Sequence, residues 1–143
     1  MTDDEHFIAE FEARRWPLDK WHHRDHIKLA YIYLTKYPLA EAVARVCAGI
    51  RAHNAAHGIP DTPAGGYHET MTQAWMRLVH FTLCEYGPAE SAEAFIAKNT
   101  HLAEKKALRY FYSADLFMSP RAKAEFLEPD LAPFPRSGKI FNP

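Results

Sequence analysis

A chain of 143 residues that is 48% hydrophobic and 13% aromatic is long enough for one domain with a substantial core. Lys plus Arg at 17 against Asp plus Glu at 18 leaves a formal charge of −1, which removes the electrostatic reason to expect nucleic acid or an anionic membrane as partner. No apolar run approaches the ~20 residues that span a bilayer, the acidic start MTDDEHFIAEFEARR is unlike a signal peptide, and Cys47 and Cys84 stand singly in apolar patterns, so the expectation is a reduced, cytoplasmic protein.

The first helix is predicted over residues 3–15, with Phe7, Ile8 and Phe11 on one face and WPLD closing it. A second covers 22–37 and stops before Pro38. Pro38 suits the first turn of a third helix, whose Leu39, Val43, Val46 and Ile50 recur at the helical period and which ends at Gly58. IPDTPAGG, residues 59–66, is dense in turn formers. A fourth helix follows over 67–86, ending at Gly87-Pro88, then a shorter one over 88–99, another helical stretch over 101–112 and a short helix near 119–127. No segment alternates with a strand period. These elements make an all-α, single-domain chain: an antiparallel helical bundle of four to five main helices, with an extended proline-rich tail over 128–143. Leu127, Leu131 and Phe134 are expected to pack that tail onto the bundle.

Nine histidines are the unusual count. On the second helix, His23 and His26 share the face of Ile27, Ala30 and Leu34, while His22 turns aside. The third helix continues its stripe to His53 and His57. The fourth runs its stripe of Met71, Trp75, Leu78, Val79 and Thr82 back to His68 in the first turn. If successive helices alternate direction, the imidazoles of three segments meet at one end. Residues three or four apart have Cβ atoms ~5–6 Å apart, so two imidazoles can share an ion and a third can come from another helix. The predicted metal ligands are His23, His26 and His68, with Zn, Fe, Mn, Ni or Cu as the divalent transition metal. Glu69 is the candidate base or fourth ligand and Tyr67 the candidate substrate contact, both assigned as catalytic. His22, His53, His57, Thr72 and Trp75 are candidate pocket walls. A bland account competes: His57 near a helix C-terminus and Glu69 near an N-terminus are both favoured by the helix dipole, and Trp75 suits a core.

WHHRDHIKLAYIYL, GYHETMT and YFYSADLFMSPRAKAEFLEPDLAPFP together resemble a family of small uncharacterised bacterial proteins. The shared pattern is aromatic-x-His-x-x-His, Tyr-His-Glu-Thr, and a closing Tyr-Ser…Ser-x-x-Ala…Pro-Asp-Leu stretch. It falls on Trp21, His23, His26, Tyr67, His68, Glu69, Thr70 and Thr72, then Tyr112, Ser113, Ser119, Pro129, Asp130 and Leu131. The resemblance selects His23 over His22 as the partner of His26 and leaves out His53 and His57. It implies residues and no reaction.

Three functions follow as expectations: a metal-dependent enzyme acting on a small molecule, a metal-free enzyme or binding protein using the same histidines, or a structural bundle.

Overall fold

The computed structural model describes residues 1–143, and the chain is all-α, with about five main helices packed together and no strand. The helices are α1 (Asp3–Glu12), α2 (His23–Lys36), α3 (Leu39–Ala56), α4 (Glu69–Tyr86), α5 (Ala92–Lys98), α6 (Ala114–Phe117) and α7 (Pro120–Ala124). None is long and apolar enough to cross a membrane.

α2 is the centre. Eight of its fourteen residues are buried, including the unbroken run Leu29 to Leu34, so it is covered on several sides by α4, α3 and α5. α1 adds Phe7, Ile8 and Phe11 to the same core. Phe11 reaches α3 at Gly49, where a Cβ would stand 2.8 Å from the ring edge, so only glycine allows this approach. The core is one cluster of 27 buried residues, in which each fully buried Leu, Ile or Phe contributes roughly 1.5–3 kcal/mol of transfer free energy.

Contacts between helices fix their directions. Arg51 near the end of α3 bonds Glu69 at the start of α4. Trp21, just before α2, packs on His53 near the end of α3, and His23 in the first turn of α2 packs on Trp75 in the second turn of α4. The start of α2, the end of α3 and the start of α4 therefore lie at one end of the molecule.

Several boundaries differ from the sequence expectation, each for a local reason. α1 stops at Glu12 rather than residue 15, because Arg14 takes a left-handed conformation (φ 61°) that turns the chain toward Pro17. His22, Pro38 and His68 are caps rather than helical residues. The expected helix over 101–112 is two 3₁₀ segments, Thr100–Ala103 and Lys105–Tyr110, parted at Glu104, whose carboxylate accepts the Lys106 amide. α6 had no clear signal, since its four residues carry too little pattern.

The C-terminal segment clasps the start of α4. Thr70, fully buried, donates its hydroxyl to the Glu125 carbonyl at 2.8 Å and accepts the Leu127 amide at 3.1 Å. Tyr112 donates to the Leu127 carbonyl, Ser113 bonds Asp130 through both its amide and hydroxyl, and the Leu131 amide donates to Phe111. Phe134 packs on Phe111, as expected of the tail. Leu131 does not pack: it is 58% exposed, because its amide, not its side chain, is what faces the fold.

Candidate functional site

Each predicted site residue has a definite place at the histidine-bearing end. His68 is the N-cap of α4. Its Nδ1 accepts the Met71 amide at 3.0 Å, so the proton sits on Nε2, which donates to the Phe117 carbonyl at 2.9 Å. The ring also stacks on Phe117 at 4.7 Å. Both nitrogens are thus occupied by the fold.

His23 donates Nε2–H to the Leu102 carbonyl at 2.8 Å, which leaves Nδ1 as a bare lone pair. His26 makes no hydrogen bond through its ring; it lies against Trp21, with centroids 4.2 Å apart. Burial lowers its pKa to about 4, with His23 and His53 on either side opposing protonation further. His26 is therefore neutral at pH 7.

His53 is fully buried between Phe11 and Trp21. Its Nε2–H donates to the Trp16 carbonyl at 2.9 Å, and its Nδ1 is buried with no partner. His57 packs tilted against His53, with ring centroids 4.3 Å apart, and donates Nε2–H to the Arg14 carbonyl at 3.1 Å. His22 is exposed and holds Asp25 through its backbone amide. The wall residues His53 and His57 thus join the rings around His26 and Trp21, and His68 does not.

Glu69 forms a separate hub. One oxygen accepts from Tyr67 Oη at 2.6 Å and from Arg51 at 3.1 Å; the other accepts from Gln73 at 2.6 Å and the Cys47 thiol at 3.9 Å. Burial pushes both the Tyr67 phenol and the Cys47 thiol up, so both stay protonated as donors. The Arg51 guanidinium lies over the Tyr67 ring. A carboxylate with four donors anchors the α3–α4 junction and has no lone pair left in a good direction for a proton. Thr72 bonds only the His68 carbonyl, and Trp75 is a core residue against His23.

The Tyr-His-Glu-Thr segment thereby receives a mechanical account. The Tyr67 carbonyl accepts from Lys123, His68 holds Phe117, Glu69 holds α3, and Thr70 holds residues 125 and 127. Gly66 is required just before it: φ is +84°, and a Cβ would stand 2.7 Å from the Pro60 carbonyl.

The expected metal set does not fit as it stands. His68 offers no nitrogen, and no three His, Cys, Asp or Glu side chains converge closely enough to hold one ion. What does gather is a cluster of rings, Phe11, Trp21, His26, His53 and His57, in which several imidazole nitrogens are open acceptors. Sequence reasoning also passed over Cys47 and Arg51. Their distance from Glu69 in the chain, 22 and 18 residues, gave no signal. Comparison with protein-family models, curated proteins and solved structures finds no match.

Proposed function

We propose that the histidine-bearing end binds a small molecule carrying hydrogen-bond donors, such as an amine or a polyol, as a binding protein or metal-free enzyme. The observation that carries this reading is the tautomer pattern. His23, His53 and His57 each give Nε2–H to a backbone carbonyl, which fixes a bare Nδ1, while His26 keeps both nitrogens unbonded beside the Trp21 ring. His26, kept neutral by burial, presents an acceptor nitrogen beside the Trp21 indole face, the complement of a donor-bearing ligand. His26 and Trp21 contact the ligand in this reading; His53 packs on Trp21, and His57 packs on His53. His26 is too weak a base near neutrality to drive proton abstraction, so its part is recognition.

A second reading keeps the metal and changes its ligands. Metal-bound histidines usually donate their other N–H to a carbonyl or carboxylate, and His23 and His53 already do so. An ion would then use His23, His26 and His53 after a shift of side chains, leaving His68 out.

Imidazole NMR separates the two. Donor-bearing ligands are titrated first, then Zn²⁺, Ni²⁺ and Mn²⁺, following the His26 resonances. Saturable shifts with amines or polyols, lost in His26→Ala and kept in His22→Ala, support the first reading. Stoichiometric ion uptake lost in His26→Ala and His53→Ala supports the second. No response of His26 to either series sinks both and leaves a structural bundle.

A further inference from the structure

A groove of about 590 Å³ runs between α4 and the tail, away from the histidine-bearing end. Its α4 wall carries Arg77, His80, Phe81 and Cys84; its other wall is residues 128–137 and Lys139. Cys84 and His80 are one helical turn apart, and Cys84 Sγ lies 3.5 Å from His80 Nε2. Both are partly exposed to the groove. Neither residue bonds anything else, so no core or capping role accounts for the pairing.

Two of the groove's cations are paired: Arg77 faces Glu128 and Lys139 faces Glu85, while Asp130 accepts the amide and hydroxyl of Ser113. Among the groove's cations, Arg136 has no carboxylate at ion-pair distance, so its guanidinium is the one left to take an incoming anion.

We propose that Cys84 is a nucleophilic thiol, with His80 as its base, that takes up one half of a carboxylate-bearing low-molecular-weight disulfide. His80 Nε2 accepts the thiol proton as Cys84 Sγ attacks one sulfur of the disulfide. The Sγ–S bond forms, the S–S bond breaks, and the departing thiolate takes up the proton that His80 accepted. The Cys84 thiol and the disulfide thus give a mixed disulfide and a free thiol. The disulfide itself is the oxidant. Arg136 receives the carboxylate.

The surroundings favour this exchange over acyl transfer. An acyl intermediate needs amide donors aimed at a developing oxyanion, and Cys84 sits inside α4, where amides are committed to the helix ladder. Disulfide exchange needs only a thiolate and a leaving sulfur. His80 Nε2, 3.5 Å from Cys84 Sγ, is placed to take the thiol proton at the moment of attack. Burial lowers the His80 pKa, so the imidazole is neutral and available for that step at pH 7.

An unassisted thiol is only ~3% ionised at pH 7, so the ceiling on what a base supplies is about 30-fold. The test uses the full chain at pH 7 with oxidised glutathione, which carries carboxylates, and cystamine, which carries amines instead. Adducts are followed by intact mass and located by peptide mapping. One adduct is expected, at Cys84, formed faster with oxidised glutathione. Cys47, at 6% exposure and facing Glu69, serves as the internal control and stays free. His80→Gln should slow the adduct about tenfold at pH 7, with the difference closing above about pH 9, where a thiol ionises unaided. Arg136→Gln should erase the preference for oxidised glutathione by slowing that reaction, and should not slow reaction with cystamine, a dication that Arg136 repels. Far-UV and near-UV circular dichroism of both variants guards against a folding defect. Equal rates for wild type and His80→Gln at pH 7, or modification of Cys47 before Cys84, would overturn the assignment. Equal rates for the two disulfides would overturn the carboxylate part of it.

Discussion

Replacing His68 with alanine should cost stability first and ligand binding only through that loss. The substitution removes the N-cap of an 18-residue helix, worth about 1 kcal/mol. It removes a second hydrogen bond, from Nε2 to the Phe117 carbonyl, worth about another 1 kcal/mol. The stacked contact with Phe117 at 4.7 Å adds about 0.5–1 kcal/mol. The sum is about 2.5–3 kcal/mol, or a Tm lower by roughly 5–10 °C for a chain of this size. His68→Asn separates the parts: asparagine is a good N-cap but cannot reach Phe117, so it should lose only about half as much. Urea unfolding of the three proteins at pH 7.5 measures this, with the His26 ring resonances as a check that the neighbouring cluster is intact. A loss below ~0.5 kcal/mol for His68→Ala, combined with abolished ion or ligand binding, would refute the capping argument and return His68 to the site.

Stability should fall with pH below neutrality. His26 has a pKa near 4 folded, against an ordinary value near 6.5, and burial depresses His23, His53 and His68 as well. A depressed histidine is neutral in both states above about pH 6.5 and costs nothing there. As pH falls through 6.5 the unfolded chain takes up protons that the folded chain refuses, so stability drains until the folded values are reached. For His26 the full difference would be ~3.4 kcal/mol; its ring keeps some exposure, so about 2 kcal/mol is expected between pH 7 and pH 4. Unfolding free energies at pH 8, 6.5 and 5 test the sign, and His26→Gln should flatten the curve. Truncation after Glu128 removes Asp130 from Ser113, Phe134 from Phe111 and Ser137 from Glu85, and should lower the melting temperature by several degrees; an unchanged value would show the tail to be idle.

The helix class, the approximate extents of α2 to α4 and the gathering of their histidine-bearing ends were legible in the residues alone. Apolar spacing sets which face of a helix is buried, and short connections leave neighbouring helices little choice but to run antiparallel. His26 facing inward and His22 outward followed from the same spacing. Which atom of each side chain is free did not. His68 looked like an open ligand because its position is inward; the fold spends one nitrogen on the Met71 amide and the other on a carbonyl 49 residues away. Glu69 looked like a base, yet Cys47 and Arg51 of α3 and its own neighbours Tyr67 and Gln73 occupy it. His80 and Cys84 stood four apart in the sequence, but only the tail's return over α4 turns that spacing into a groove with a wall. Periodicity is a local property and survives in the sequence. The saturation of a donor or acceptor is decided by whatever partner the long-range packing delivers, and a polar atom's chemistry is what remains after that partner is counted.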